Sequence, residues 1–408
     1  MYASCTSHSA NSQTTLGPIA SRGFWASALV GVAALAIAAG LGAARGDNLA
    51  YFLRSYLLNF CYFLSISIGA LFFVAIQHVS RAGWSVTVRR LAELPGANFA
   101  CLTLLFLPIL ATVLLGRGSL YEWASPEAVS GDPLLQHKAA YLAPPFFAVR
   151  SIGYLAIWWL MGWYFLRRSL QQDRTGEDNL TLQAERFSPV ALVVLAVTVS
   201  FAAIDWLMSL DAHWSSTIYG LYYFSGAMVA FLAAVILVAI GLQDTGRLRE
   251  MVTVEHYHDL GKLLFGFVIF WAYIAFSQYL LIWYANIPEE TTWYLARQTG
   301  AWKWASLALV FANFLIPFLG LLSREVKRRK FPLGFWAAWL LVFHWIDVQW
   351  LVMPGFAAEG PTFGLIDAFC LLGVGGLYVA GTLRVARQRA LVPLKDPRLG
   401  ESLAFENV

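Results

Sequence analysis

The chain has 408 residues, of which 59% are hydrophobic and only 13% charged, with a formal net charge of +4. A soluble domain carries about 25% charged residues to hydrate its surface, so this composition excludes a water-soluble globular protein. The basic residues are scattered through short segments rather than gathered into a patch, which excludes a nucleic-acid partner and makes them topology signals.

Residues 1–22 form a polar tail rich in Ser and Thr, without the basic start and immediate apolar run of a cleavable leader; the first helix is therefore expected to stay in the mature chain. Ten apolar runs follow, at 23–44, 50–78, 97–116, 142–167, 187–210, 214–243, 259–285, 300–322, 331–353 and 362–386. They predict an all-α polytopic fold of ten transmembrane helices over 23–386, with a C-terminal tail at 387–408. The connecting segments alternate in charge. One set, together with both tails, holds Arg22, Arg81, Arg89, Arg90, Arg167, Arg168, Arg174, Arg186, Arg247, Arg249, the run 324–330 and the C-terminal Arg384 to Arg398. The other set holds only Arg45, Arg117, Lys138, Arg297 and Lys303. Positive segments remain inside, so both termini are expected on the cytoplasmic side. The longest outer segment, 117–141, carries Tyr121, Trp123, Pro126 and Pro133 and reads as an ordered cover.

Run five contains Ala203-Ile204-Asp205-Trp206 and run nine Trp345-Ile346-Asp347-Val348, an echo that suggests a parallel repeat of 50–210 and 214–353. Cys5, Cys61, Cys101 and Cys370 lie far apart with no CxxC spacing, so no iron–sulfur cluster, c-type haem or disulfide is expected in this chain. A membrane bis-His haem needs paired deep histidines. Only His344 lies deep; His78, His213, His256 and His258 sit at helix edges, His137 in a loop and His8 in the tail. No metal ligand set has supporting spacing.

Ionisable groups inside lipid are costly and default to functional hypotheses. Asp205, Asp347, Asp367 and Arg150 are of this kind, and His344 shares a helix face with Asp347 three residues on. Two readings stay open: Arg150 pairs with Asp205 or Asp347 and holds helices in register, or these groups relay protons. At the mouth of run seven, Glu255-His256-Tyr257-His258-Asp259 precedes Lys262. His258, Asp259 and Lys262 can collect protons there or merely cap the helix; for His256 the cap is favoured. Tyr273, Ser277, Gln278, Tyr279 and Tyr284 continue as a polar and aromatic stripe that either glues helices or completes a path.

Three segments carry a family resemblance: Ser200-Phe-Ala-Ala-Ile-Asp-Trp-Leu-Met-Ser-Leu-Asp-Ala-His-Trp-Ser-Ser-Thr-Ile-Tyr-Gly, Tyr257-His-Asp-Leu-Gly-Lys-Leu-Leu-Phe-Gly-Phe, and Phe276-Ser-Gln-Tyr-Leu-Leu-Ile-Trp-Tyr-Ala-Asn-Ile-Pro-Glu-Glu. The chain resembles the F-type integral membrane subunit of bacterial alternative complex III, a quinol:electron-acceptor oxidoreductase, and through it the membrane subunit of polysulfide reductase. The resemblance implies two four-helix bundles plus peripheral helices in the bacterial inner membrane. It implies partner subunits bearing iron–sulfur clusters and c-type haems, a sister membrane subunit facing quinol, and no redox centre here. It makes Asp205, His258, Lys262, His344 and Asp347 candidates for a proton pathway. Quinol is a candidate substrate, with Asp205 and His213, or His344, as groups to hydrogen-bond it. A stand-alone secondary transporter and a purely structural scaffold are the rival readings. The transporter would want helices broken by Gly or Pro near the membrane centre in both halves; Pro108 and Pro317 interrupt runs three and eight, but neither is flanked by the Gly-rich unwinding that a substrate site would want.

Overall fold

The computed structural model describes residues 14–116 and 119–407; Cys5, His8, Arg117 and the first part of the polar tail lie outside them. Ten helices are long and apolar enough to cross a membrane, one for each run in the sequence: Pro18–Ala44, Ala50–Val79, Val86–Leu114, Pro144–Thr175, Asn179–Leu210, Tyr219–Asp244, Val254–Ala285, Trp302–Leu322, Lys330–Val352 and Leu365–Ala386. Among the described residues there is no strand, only an isolated bridge between Thr15 and Ala390. That bridge joins the two ends of the chain on one face, here the terminal face; the opposite one is the loop face. The protein is therefore an all-α multi-pass membrane protein.

Spans two to five pack among themselves, as do spans six to nine, giving two four-helix bundles. Spans two and six form the seam. Both are apolar nearly all round and are buried along most of their length, as a helix surrounded by other helices must be. They approach closely because Gly69 carries no side chain: a Cβ there would lie 2.5 Å from Cβ of Phe231 and 2.6 Å from the carbonyl oxygen of Ala227. Spans one and ten make a peripheral pair packed through Gly31, Gly373 and Gly376, the small-residue contact that helices use in lipid, where no hydrophobic force drives them together.

The structure corrects several boundaries. Hydropathy marks the lipid slab, not the helix, so spans four, five and seven run beyond the apolar runs into polar residues such as Arg174, Glu185 and Glu255. The third span begins at Val86 rather than 97: a helix over Val86–Gly96 meets Phe99–Leu114 at a break at Ala97 and Asn98. Arg89 and Arg90 are consequently not solvated loop cations. Both are buried in an ion-pair network: Arg89 with Glu93 (3.3 Å) and Asp396, Arg90 with Glu93 (2.8 Å) and Asp173 (2.7 Å). The same network ties down the C-terminal tail. Leu391 and Val392 are buried, and Ser402 donates to the carbonyl of Trp84 at 2.6 Å. In span eight, Leu309–Leu315 is π-helical just ahead of Pro317, whose missing N–H frees upstream carbonyls; that of Ala312 accepts from Trp339 Nε1 at 2.7 Å.

The break in span three is fixed by span four. A Cβ on Gly162 would stand 1.9 Å from the carbonyl oxygen of Gly96, while one on Gly153 meets nothing within 4 Å. Gly162→Ala is expected to lower stability by about 1–3 kcal/mol. Gly153→Ala should leave it within about 0.5 kcal/mol. Thermal unfolding of the purified protein in detergent measures both.

Candidate functional site: two buried carboxylates in paired bundles

Asp205 and Asp347 each sit near the loop-face end of the last helix of a bundle, and both are buried. Their surroundings differ in kind. Arg150, from span four, grips Asp205 with both arms, Nε to Oδ2 at 2.8 Å and Nη2 to Oδ1 at 3.0 Å. Tyr154, one helical turn further on, donates to Oδ2 at 2.9 Å. The guanidinium also lies against the mutually perpendicular rings of Tyr141 and Phe146, 4.0 and 4.3 Å from their centroids, and donates to the carbonyl of Tyr141. Such a bidentate, desolvated pair fixes the relative placement of spans four and five. Of the two pairings left open for Arg150, the one with Asp205 is formed.

No cation pairs with Asp347 among the described residues. Its donors are neutral: Tyr222 Oη to Oδ1 at 2.5 Å from span six, and Trp271 Nε1 to Oδ2 at 3.1 Å from span seven. His344 Nδ1 stands 3.9 Å from Oδ2 with no hydrogen-bond partner of its own. The other ring nitrogen, Nε2, is 2.9 Å from Ser65 Oγ, which itself donates to the carbonyl of Tyr62. With its proton so engaged, Ser65 accepts, which puts the imidazole proton on Nε2 and leaves Nδ1 a free acceptor facing the carboxyl group. A movement of about 1 Å would close that gap to a hydrogen bond. Gly226 keeps it open: a Cβ there would lie 2.9 Å from His344 Cε1 and 3.4 Å from Asp347 Oδ2. Spans two, six, seven and nine thus converge on one acid–base pair.

Other candidates fall elsewhere. At the terminal face Lys262 pairs with Asp259 and donates to Asn407 at 3.0 Å, and Glu255 pairs with Arg328. His258 is largely buried with Nδ1 unpartnered, whereas His256 caps its helix, its Nδ1 accepting from the backbone N–H of Thr253 at 3.0 Å. From Lys262 to Trp271 is nine residues of helix, about 14 Å. The inward residues between them are Leu264 and Val268, and no hydrogen-bond chain crosses this stretch among the described residues. Tyr273 is 64% exposed on the outer side of span seven, and Tyr284 is exposed too, so the aromatic stripe does not share one inward face. Gln278 alone of it is buried, donating to Tyr294 Oη at 3.1 Å and accepting from Ser216 at 3.0 Å. Gln278 and Ser216 also line a cavity of about 330 Å³ toward the loop face. His213 pairs with Asp132 at 2.6 Å in the loop-face segments.

Sequence reasoning missed Tyr222, Trp271, Ser65 and Gly226, because each looks like a packing residue until helices far apart in the chain meet. It also missed Arg297, placed in an outer loop by charge counting. Arg297 is buried and donates to the carbonyls of Trp293, Trp350 and Leu351 at 2.9–3.1 Å, stacking on Trp293. Burial pushes its pKa down to about 9, with the nearby hydroxyls of Tyr219 and Tyr294 working the other way. It caps the C-terminus of span nine one turn beyond Asp347, where a cation complements the helix dipole.

No protein-family model matches the chain, and no curated protein sequence matches it. What fold and site define is a ten-span helical membrane protein whose two bundles each end on a buried carboxylate, Asp205 held by an arginine and Asp347 by neutral donors.

Arg150→Gln leaves Asp205 buried without its cation and is expected to cost about 3–5 kcal/mol. Adding Asp205→Asn to it should recover most of that loss. Asp347→Asn alone, which removes no ion pair, should cost no more than about 1.5 kcal/mol. Thermal unfolding of the three variants compares them.

Proposed function

We propose that this chain is the membrane subunit of a quinol-oxidising respiratory complex and that it carries protons through its second bundle, with Asp347 as the group that takes up and releases them. The observation that carries the proton reading is the contrast between the two carboxylates. Asp205 is neutralised by Arg150, whereas Asp347 has only neutral donors and an unpartnered imidazole nitrogen 3.9 Å away. A buried carboxyl without a cation can change protonation without breaking an ion pair, which is what a relay needs. Tyr222 and His344 are its nearest exchange partners. Gln278 and Ser216 line the loop-face cavity beyond. On the other side, His258, Asp259 and Lys262 gather charge at the mouth of span seven, separated from Asp347 by an apolar stretch that water would have to bridge.

The respiratory reading rests on the resemblance of residues 200–220, 257–267 and 276–290 to the F-type subunit of alternative complex III. In it, an iron–sulfur subunit, c-type cytochrome subunits and a sister polysulfide-reductase-like membrane subunit hold the clusters, the haem c and the quinol. The basic residues gathered toward the terminal face orient that face to the cytoplasm of a bacterial inner membrane. The transporter reading fares less well. The break at Ala97 falls in the second helix of the first bundle and the π-helical segment in the third helix of the second, so the interruptions do not correspond.

In liposomes containing the purified complex, Asp347→Asn is expected to reduce proton translocation about a hundredfold or more while quinol oxidation and assembly persist. Gly226→Ala, which fills the space between His344 and Asp347, should reduce it too. Proton movement unchanged in Asp347→Asn would remove this residue from the path and leave the scaffold reading.

A further inference from the structure

A groove of about 800 Å³ opens between spans one, three, four and ten, away from both carboxylates. Its deeper walls are apolar and aromatic: Phe24 and Ala28 from span one, Leu104 from span three, Trp159 and Trp163 from span four. Toward the terminal face its rim carries Arg167 and Arg174 from span four and Arg384 and Arg389 from span ten and the turn after it. No Asp or Glu lines the groove. The spacing makes this a built arrangement. Trp159, Trp163 and Arg167 follow one another at four-residue intervals along one helix face, so apolar wall grades into cationic rim.

Arg167, Arg174 and Arg384 are exposed at the rim. Arg89, Arg90, Arg150 and Arg328 each meet a carboxylate, whereas none of the rim arginines has an acidic partner among the described residues. Arg167 rests only on the ring of Trp163, at 4.7 Å from its centroid. Arg389 is half-buried, and both burial and the nearby Arg90 disfavour its charge. Four like charges around one opening repel unless an anion lies between them. The remaining requirement is an apolar body that lies along tryptophan and leucine inside the membrane.

We propose that this groove binds an anionic phospholipid, its phosphate held by Arg167, Arg174, Arg384 and Arg389 and an acyl chain laid against Trp159, Trp163 and Leu104. Arginine clusters at the end of an apolar slot between helices have the chemistry of such a site. A bound lipid would also cement the peripheral pair of spans one and ten to the first bundle, since its walls come from both.

The test is native mass spectrometry of the full-length protein released from nanodiscs of equal phosphatidylglycerol and phosphatidylcholine. The wild type is expected to retain phosphatidylglycerol preferentially. Arg167→Gln and Arg384→Gln should each reduce that retention roughly fivefold, the equivalent of about 1 kcal/mol per basic residue. Ala28→Trp, which fills the apolar wall and leaves the rim intact, should reduce retention of the lipid as well. Arg168→Gln, on the same helix but outside the groove, should leave it unchanged. The proposal is overturned if the two lipids are retained equally, or if Arg168→Gln matches Arg167→Gln. It is likewise overturned if excess inorganic phosphate displaces the lipid from the wild type, which would make the rim a simple anion site. Rim arginines still shielded from phenylglyoxal in the delipidated complex would show a protein partner there instead, and would also overturn it.

Discussion

A carboxyl group placed inside a helical bundle in lipid has no water to solvate it, and the protein must supply every compensating contact. The two bundles of this chain meet that constraint in opposite ways. The first brings a guanidinium to Asp205, converting a liability into a bidentate ion pair that ties spans four and five together. The second surrounds Asp347 with a phenol, an indole and an imidazole nitrogen that has no other partner. An ion pair resists a change of charge because protonating the acid strands the cation. Neutral donors impose no such penalty. The proposed division between a holding half and a proton-carrying half rests on this difference.

The rest of the packing serves to bring those neutral donors together. Tyr222, Trp271 and His344 come from three spans of the second bundle, and Ser65 of span two reaches them across the seam where spans two and six lie against each other at Gly69. Gly226 then leaves the opening between imidazole and carboxyl. At the terminal face the network of Arg89, Arg90, Glu93, Asp173 and Asp396 locks span three, span four and the C-terminal tail into one unit. At the loop face Arg297 caps the end of span nine and so steadies the turn that precedes it, which carries Asp347.

Much of the membrane architecture was legible in the chain, because twenty or so apolar residues are what a bilayer demands and few soluble structures tolerate. All ten runs correspond to helices, and the short echo around Asp205 and Asp347 falls in the last helix of each bundle. Charge counting was less informative about individual residues. Arg89, Arg90 and Arg297 count as loop cations in one dimension, yet each is buried and matched by acids or carbonyls contributed partly from distant segments. Tyr273 reads as part of a polar stripe until the helix is turned, when it faces outward.

By itself the sequence determined the class of protein, the number of crossings and the short set of ionisable groups that had to be explained, since hydropathy and charge are local properties. Only the tertiary structure decided that Arg150 belongs to Asp205 and not to Asp347, that His256 is a cap, and that four arginines ring one groove. Those outcomes depend on which helix faces meet, and residues such as Tyr222 and Asp347, 125 positions apart, are brought together by packing that no local pattern encodes.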